Sequence, residues 1–348
     1  MILFELPREL EADRPPEARG VPRDHVRLLV DEDGVLNHAR FDELPRLLRP
    51  GDLLVVNNSA TLPAALRGTR AGEPILVHLS ARPADDRWIV ELRRPTADGH
   101  ERLRDARAGD VVSLPAGASL ELTRPHGRLW EARVRLPEPT LAYLDHHGAP
   151  IRYGYVTEAW PIAAYQTVFA VEPGSAEMPS AARAFTPEVV TELVARGIGV
   201  TPLTLHTGVS SLEEHEPPYA EWFDVPAVTA RRVEQTRAAG GRVIAVGTTV
   251  VRALESAVDE RGVVRARRGW TDVIVTPERG VHAADGLLTG MHEPRASHLL
   301  MLEAFVDRET LRRDYREAIA EGYLWHEFGD LHLLLPERRA VQAHLAAA

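Results

Sequence analysis

The fold of this chain is decided by residues 242–256, RVIAVGTTVVRALES. Residues 243–246 form an apolar run without alternation, which is typical of a strand buried on both faces. Gly247 permits a tight turn, and Thr248 and Thr249 then stand where a helix begins, with hydroxyls suited to capping its free N–H groups. Apolar residues follow at helical spacing, so we expect this helix to pack on the sheet.

The turn is also a candidate binding site for an anion. A strand that enters a helix through a Gly-Thr-Thr turn directs several N–H donors at one point, where a carboxylate or phosphate can bind. Arg252 stands further along the predicted helix and can add a charge-assisted bond to the same anion. An ordinary strand–turn–helix with threonine caps is the alternative, and the residues leave both interpretations open.

The composition excludes several kinds of chemistry. The chain has 348 residues, 44% hydrophobic and 26% charged, as in ordinary globular proteins with room for two domains. All 41 positive charges are arginine, because the sequence contains no lysine, and it contains no cysteine. Schiff-base lysines, P-loop lysines, thiolate nucleophiles, disulfides and cysteine-held iron–sulfur clusters are therefore excluded. The net charge of −10 argues against a broad basic surface for nucleic acid.

No targeting signal or membrane span is evident in the sequence. The first eight residues lack the basic and apolar regions of a signal peptide, and no apolar run is long enough to span a bilayer. We expect a cytoplasmic protein without a membrane partner.

The pattern of apolar runs and turn residues divides the chain into two parts. Residues 61–150 contain short alternating runs between turn residues, at 75–79, 88–92, 111–114, 120–122 and 129–134, which predicts a small antiparallel barrel or sandwich. The remainder alternates helical and strand patterns. We therefore expect a mostly parallel-sheet α/β domain, residues 1–60 and 151–348, with a small antiparallel β-barrel domain inserted at 61–150.

Smaller elements are also predicted. Thr186 and Pro187 form a helix start, with threonine as the cap and proline in the first turn. Residues 273–275 are apolar and predict a strand. Residues 336–348 are rich in arginine and alanine, which suits a last helix or a frayed end.

In open α/β sheets, ligands bind beyond the carboxyl ends of the strands, and this rule selects the candidate site residues. His206 follows the predicted strand 198–205, and Thr248 and Thr249 follow residues 243–246. The same rule adds the stretches around Asn57 and Asp285. A strand-end histidine can act as a base, orient a loop or simply make hydrogen bonds.

An aromatic residue and two histidines complete the candidates. Trp270 stands beside Asp272, which suits the binding of a purine, although Trp270 can equally be part of the core. His292 and His298 are six residues apart, which is poor spacing for two ligands on one helix face. We therefore predict no metal site.

Stretches distributed along almost the whole chain resemble the sequences of one known protein family. Residues 241–256 resemble the signature of the S-adenosylmethionine:tRNA ribosyltransferase-isomerases of queuosine biosynthesis. Further ordered blocks agree, at residues 4–7, 22–29, 48–57, 165–168, 269–272, 285–289 and 299–302.

The resemblance implies an α/β domain with an inserted small β-barrel and S-adenosylmethionine as substrate, with no permanently bound cofactor. The implied reaction transfers and isomerises the ribosyl group of S-adenosylmethionine onto 7-aminomethyl-7-deazaguanine in tRNA and releases adenine and methionine. The sulfonium acidifies the neighbouring 5′-carbon, so a modest base suffices, and we expect His206 or Asp285 near that role.

The other predicted roles concern binding. Thr248, Thr249 and Arg252 are expected to hold an anionic group such as the methionine carboxylate. Trp270 and Asp272 are expected to hold adenine or the acceptor base. The predicted substrate-binding set is completed by Asn57, Tyr165, Gln166 and His292.

Several positions depart from the family pattern. Ala184 stands where the family has histidine, Arg183 is new, and Tyr219 replaces a histidine before Glu221 and Trp222. The loop at 207–212 and the stretch at 290–295 also differ. These changes leave open a paralogue that uses S-adenosylmethionine with a small non-tRNA acceptor or as a lyase, or a non-catalytic module that binds it. The oligomeric state is not predictable from these residues.

Overall fold

The structure, a computed structural model, describes residues 1–96, 99–209 and 219–337. The predicted tail, residues 336–348, lies mostly outside the described residues, as do residues 210–212 of the loop after His206. In the described chain the helices are α1 Leu44–Leu47, α2 Thr140–His147, α3 Pro187–Ala195, α4 Ala227–Ala238, α5 Thr248–Ser256, α6 His298–Phe305 and α7 Arg308–Ala320.

In the described chain, the longest run of strands without an intervening α-helix extends from β3 to β11. The bounds of the strands are β1 Arg27–Glu32, β2 Val35–Arg40, β3 Leu53–Asn57, β4 Ser59–Thr61, β5 Ala65–Arg70, β6 Glu73–Ala84, β7 Arg87–Thr96, β8 Gly99–Arg102, β9 Val111–Ser113, β10 Ser119–His126, β11 Leu129–Arg135, β12 Gly148–Ala149, β13 Glu172–Ser175, β14 Gly199–Leu205, β15 Glu221–Val225, β16 Val243–Val246, β17 Arg267–Thr271, β18 Gly286–Gly290 and β19 Leu331–Leu335.

Nine of the described strands form one large sheet in the order β17-β15-β14-β3-β16-β18-β19-β1-β2. Its central pairs are parallel, as are β1 and β19, whereas β15, β17, β2 and the β18–β19 pair are antiparallel. The sheet is therefore mixed rather than mostly parallel, which corrects the prediction. The central strand β16 is buried at all four positions, as its unalternating sequence predicts.

The predicted barrel is present and closed. Six of the described strands pair antiparallel in the order β5-β6-β7-β11-β10-β9, and β9 pairs again with β5. Every short run that predicted a strand between residues 75 and 134 falls largely within one of these strands. The barrel has its own core, which includes Trp88, Val90 and Leu120. The exact domain boundaries at 60/61 and 150/151 stay a prediction.

Two local predictions have different outcomes. Thr186 is the N-cap of α3 and its side chain accepts a hydrogen bond from Val189 N at 3.3 Å, so that helix start is confirmed. Residues 273–275 are not a strand, because β17 ends at Thr271 and the chain then leaves the sheet edge.

A buried ion cluster lies in the barrel. Glu91 on β7 is 1% exposed and accepts hydrogen bonds from Arg128 at 2.6 Å and Arg93 at 3.1 Å. His78 Nδ1 lies 3.7 Å from the same carboxylate. Burial raises the pKa of Glu91, but the nearby imidazole of His78 and the two arginines lower it by more, to about 2.

We expect acid to destabilise the barrel through Glu91. Because its folded pKa is depressed, its stabilisation is complete above the unfolded value of 4.5 and is lost as pH falls to about 2. This difference corresponds to about 3 kcal/mol. The free energy of unfolding can be measured in urea across this pH range. The loss of stability at low pH should be absent from Glu91→Gln and present in Glu121→Gln, whose carboxylate on β10 is 45% exposed. An unchanged acid dependence in Glu91→Gln would contradict the assignment.

Candidate functional site

The carboxyl ends of four parallel strands meet at one edge of the large sheet. β14, β3, β16 and β18 are neighbours in that order and run in the same direction. His206 follows β14, Asn57 ends β3, Thr248 follows β16 by way of Gly247, and Gly290 ends β18. Most of the predicted strand-end residues are thus brought together.

Two cavities border this edge. The barrel-side cavity, about 380 Å³, lies between sheet and barrel and is lined by His206, Trp222, Trp270, Ser80 and Gly174 among others. The strand-end cavity, about 190 Å³, is lined by residues that include Tyr153, Tyr155, Glu177, Thr207, Thr248, Thr249, His292, Glu293, His298, His326 and Glu327. The consecutive residues His206 and Thr207 line one cavity each.

His206 is held in the barrel-side cavity by contacts on several sides. Its Nδ1 is hydrogen-bonded to Ser59 Oγ at 2.8 Å, and Ser59 Oγ is bonded to Ser175 Oγ at 2.6 Å. The ring stacks on Trp222, with centroids 5.2 Å apart. A Cβ at Gly174 would lie 2.4 Å from His206 Cε1, so only glycine leaves room for the ring.

The protonation state of His206 suits a base. Burial lowers the pKa of His206 below its usual value of 6.5, so the imidazole is neutral at pH 7. In the tautomer whose Nδ1 donates to Ser59, the lone pair is on Nε2. In that tautomer Nε2 can accept a proton while Ser59 and Trp222 fix the orientation of the ring.

The start of α5 lines the strand-end cavity, as the sequence predicts, but not through threonine caps. Gly247, at φ 96°, is the N-cap, and no side chain caps the helix. Thr248 and Thr249 lie inside the first turn and both line the cavity. The predicted capping role is therefore wrong, while the N–H groups of the first turn remain available to an anion.

Arg252 lines neither cavity. It forms an ion pair with Glu221, and its Nε donates to Val273 O at 3.1 Å. Its second terminal nitrogen donates to the carbonyls of Thr271 and Tyr219, at 3.2 and 3.4 Å. At 7% exposure, Arg252 ties α5 to β15 and β17 and does not lie where the predicted carboxylate would bind.

Asn57 joins three elements at the strand ends. Its Nδ2 donates to Leu205 O at 2.8 Å and to Thr249 Oγ1 at 3.3 Å. Its Oδ1 accepts from Leu205 N and Ser59 N at 3.0 and 3.1 Å. Asn57 is fully buried and lines neither cavity, so the structure places it beneath the site rather than against a substrate.

Tyr165 and Gln166 also lie behind the site. The side chain of Gln166 forms a pair of hydrogen bonds with the backbone of Thr61, at 3.0 and 2.8 Å. Tyr165 is 3% exposed and packs on Phe328, and burial raises its pKa to about 12. Neither residue lines either cavity.

Trp270 and Asp272 do not lie together, because β17 ends at Thr271, between them. Trp270 is opposite Trp222 in the register of β15 and β17, is 47% exposed and lines the barrel-side cavity. Asp272 follows the strand, is exposed and lines neither cavity. The structure thus pairs Trp270 with a second tryptophan rather than with Asp272.

Asp285 lies at the opposite end of the sheet. It precedes β18, which runs parallel to β16, and its carboxylate accepts a hydrogen bond from Val243 N at 2.8 Å, at the start of β16. Thr248 follows the other end of β16. The prediction that Asp285 lies near the carboxyl ends of the strands is therefore wrong.

His292 lines the strand-end cavity together with His298. The two rings stack with centroids 4.8 Å apart, and His292 Nε2 is hydrogen-bonded to Thr289 Oγ1 at 2.7 Å. Burial lowers the pKa of His292 well below its usual value and that of His298 to about 4. Both are therefore neutral near pH 7. In the described chain no group of three histidine or acidic side chains could hold a metal ion.

Sequence reasoning missed the acidic and aromatic residues of the strand-end cavity. Tyr155 donates a hydrogen bond to Glu327, and Tyr153 forms one with Glu177. These pairs join residues far apart in sequence, and no spacing pattern reveals them.

The departures at Arg183 and Ala184 lie in neither cavity: Arg183 donates to Ala164 O and Glu17, and Ala184 is in the core.

Comparison with known proteins gives the family. The family model described as queuosine biosynthesis protein matches residues 2–334. S-adenosylmethionine:tRNA ribosyltransferase-isomerases from Novosphingobium aromaticivorans and Moorella thermoacetica are 37% and 38% identical to this chain. The matches cover 96% and 95% of this chain and 98% of each relative. The chain belongs to the queuosine biosynthesis protein family.

A solved structure agrees with the fold. The crystal structure of S-adenosylmethionine tRNA ribosyltransferase from Thermotoga maritima matches with a TM-score of 0.54 and 27% identity. The match covers 96% of this chain and 99% of that chain. None of the described helices combines the length and apolarity needed to cross a bilayer.

Proposed function

We propose that this protein is an S-adenosylmethionine:tRNA ribosyltransferase-isomerase. It transfers and isomerises the ribosyl group of S-adenosylmethionine onto 7-aminomethyl-7-deazaguanine in tRNA, with release of adenine and methionine. The observation that carries the proposal is the family match over residues 2–334, together with relatives of that name over nearly their whole length. The cytoplasmic location stays a prediction.

The strand-end cavity suits the sulfonium nucleoside. The first turn of α5, at Thr248 and Thr249, offers N–H donors and the positive end of the helix dipole to the methionine carboxylate. Glu177, Glu293 and Glu327 line the same cavity and suit the positive sulfonium and ammonium groups. The sequence predicted that Thr248, Thr249 and Arg252 hold this carboxylate. In the present assignment the two threonines keep that role, and backbone N–H groups take the place of the Arg252 side chain.

The barrel-side cavity suits a planar base. Trp222 and Trp270 line it, and tryptophan faces stack readily on bases. His206 lines the same cavity, and we infer that the 5′-carbon of the bound nucleoside lies within reach of its imidazole. A neutral imidazole can remove a proton acidified by the sulfonium, without lysine, thiolate or metal.

The decisive experiment is product analysis. Protein is incubated with S-adenosylmethionine alone, with tRNA bearing 7-aminomethyl-7-deazaguanine, and with tRNA lacking it, and products are identified by mass spectrometry. We expect adenine, methionine and a tRNA enlarged by an epoxycyclopentane only with the modified tRNA. Adenine release without tRNA would favour a lyase or a small acceptor. Binding without any product would favour a non-catalytic module.

Asp285 should not contribute to this chemistry, because it lies at the other end of β16. Asp285→Ala leaves Val243 N–H without its carboxylate partner. We expect a loss of about 1–3 kcal/mol in the free energy of unfolding. The rate of adenine release per folded molecule should stay at the wild-type level, as measured in single-turnover assays below the melting temperature. A loss of rate without a loss of stability would return Asp285 to the list of catalytic candidates.

A further inference from the structure

The outer edge of the large sheet has a buried face and an exposed face. In the described chain β17 is the last strand at that edge and pairs antiparallel with β15 in an unbroken register. Because side chains alternate along a strand, Arg268 and Trp270 share one face of β17 and Thr271 lies on the other. The face with Thr271 packs on α5, where Thr271 Oγ1 is hydrogen-bonded to Ser256 Oγ at 2.5 Å. Arg268 and Trp270 are exposed, and we call their side of the β15–β17 pair the edge face.

A row of three rings crosses the edge face, from the candidate base His206 outward. Trp222 on β15 is directly opposite Trp270 in the register, so the two side chains lie side by side on this face. Trp222 also stacks on His206, with ring planes 20° apart. All three residues line the barrel-side cavity. Trp270 is therefore the outermost ring of the row.

Trp270 stands at the mouth of the barrel-side cavity. It lines the cavity and is nevertheless 47% exposed. Leu141 on α2, which lines the same cavity, is also 47% exposed. Side chains that line a cavity and keep nearly half of their surface in solvent mark its opening. An indole in this position can stack on a flat ring that reaches the opening from outside.

Arg268 adds a positive charge to the edge face, two residues before Trp270. Its side chain is exposed and forms no ion pair with any described residue. Asp224 on β15 is opposite Arg268 in the register, but an exposed pair of this kind contributes little and leaves the guanidinium available to a stronger anion. Phosphate is the anion that the planar guanidinium of arginine binds most readily.

An aromatic face beside an available arginine matches a nucleotide of an RNA strand better than it matches S-adenosylmethionine. The adenosine part of S-adenosylmethionine has a base but no phosphate, and its carboxylate is assigned to the first turn of α5. A nucleotide in RNA supplies both a base and a phosphate, and its base can stack on a side chain only where it is unpaired. One ring and one cation require no broad basic surface, which agrees with the net charge of −10.

We propose that Trp270 and Arg268 bind an unpaired nucleotide of the acceptor RNA, next to the nucleotide that reacts beside His206. The indole stacks on the base of this nucleotide, and the guanidinium contacts its phosphate. The strand is thereby held at the mouth of the barrel-side cavity, where the neighbouring base can enter. This inference rests on the proposed function, and it assigns Trp270 to the acceptor rather than to adenine.

The test separates aromatic stacking from apolar contact. Trp270→Phe keeps an aromatic face, whereas Trp270→Leu keeps an apolar side chain without one. Arg268→Ala removes the positive charge. Arg231→Ala is the matched control, because Arg231 on α4 is likewise exposed and without an ion pair in the part of the chain that the structure describes, but lines neither cavity.

The readout is the affinity for tRNA bearing 7-aminomethyl-7-deazaguanine, measured by fluorescence anisotropy at several salt concentrations. Trp270→Leu should bind this tRNA about 5- to 100-fold more weakly, as expected for the loss of one stacked base, and Trp270→Phe should recover most of the affinity. Arg268→Ala should reduce the slope of log K against log salt concentration by about 0.7, the value for one phosphate of a single strand. Arg231→Ala should match the wild type.

Calorimetric titration with S-adenosylmethionine and melting temperatures complete the measurements. Neither the affinity for S-adenosylmethionine nor the melting temperature should change in these variants, because the edge face is exposed and the methionine part binds in the strand-end cavity. Weaker binding of S-adenosylmethionine by Trp270→Leu, with unchanged binding of tRNA, would overturn the inference and assign Trp270 to adenine.

The remaining results distinguish this inference from the proposed function. Wild-type protein that binds no tRNA and forms no product overturns both. Wild-type protein that modifies the tRNA, while Trp270→Leu and Arg268→Ala bind it as tightly as the wild type, overturns the inference alone. A change of oligomeric state in Trp270→Leu without a change in tRNA affinity also overturns it, and would assign the edge face to a second copy of the chain.

Discussion

Replacing His206 with asparagine should lower the rate of adenine release by about 10²–10⁴-fold, the usual contribution of a positioned general base. The amide of asparagine can keep the hydrogen bond to Ser59, now 2.8 Å from Nδ1, but it cannot accept a proton from carbon. Affinity for S-adenosylmethionine should change little, because His206 lines the barrel-side cavity and not the strand-end cavity. Single-turnover kinetics and calorimetric titration measure the two quantities separately.

The pH profile gives a second check on His206. Burial lowers its pKa below 6.5, so the wild-type rate should rise as pH rises through that lowered value and the base loses its proton. His206→Asn should lose this acid limb. Ser59→Ala is the control, because it keeps the imidazole of His206 but removes the hydrogen bond that orients it. This variant should keep the acid limb of the pH profile and show a reduced rate. A His206→Asn protein with the wild-type rate and profile would exclude His206 as the base.

Replacing Arg252 with alanine should destabilise the protein by about 3–5 kcal/mol, the cost of leaving one partner of a buried ion pair without the other. Glu221 would keep its hydrogen bond from Gly208 N, at 2.7 Å, and the carbonyls of Thr271 and Val273 would lose the donor that Arg252 supplies. Urea unfolding measures the loss.

The surface pair of Arg265 and Asp259 is the matched control for Arg252. Arg265 is 60% exposed and contacts Asp259 at 2.8 Å, so Arg265→Ala should cost about 1 kcal/mol or less. The double variant Arg252→Ala with Glu221→Gln should recover part of the loss, since no buried charge is left unpaired. A stable Arg252→Ala protein with weakened S-adenosylmethionine binding would instead support the anion-binding role predicted from the sequence.

The fold was predictable where local pattern determines structure. The unalternating run at residues 243–246 is buried at every position, and the alternating runs between residues 75 and 134 became barrel strands. Strand direction was not predictable in the same way. β19 is parallel to β1 and antiparallel to β18, because the path through α6 and α7 decides how it enters the sheet, and no residue in Leu331–Leu335 encodes that path.

The site was predictable only where it follows strand ends. The order and direction of the strands fix the positions of three predicted residues. His206 directly follows β14, and Thr248 and Thr249 follow the turn after β16. Asp285 was misplaced because its sequence does not reveal whether a strand ends or begins there. The ion pair of Arg252 was not predictable, because the packing of α5 against β15 is what brings Glu221 close. His326 and Glu293 escaped notice for the same reason: tertiary contacts alone bring them together.

The order of strands in the large sheet has a consequence for synthesis on the ribosome. Among the described strands, β5 to β11 pair with one another and with β12 and with no others, so the barrel can close soon after residue 149 has left the exit tunnel. β3, all of whose residues are buried, is flanked in the sheet by β14 and β16, and β1 pairs with β19, whose Leu331 is opposite Leu28. The apolar segment of β3, and the edge of β1 that pairs with β19, therefore emerge long before their partners and are exposed to aggregation during synthesis.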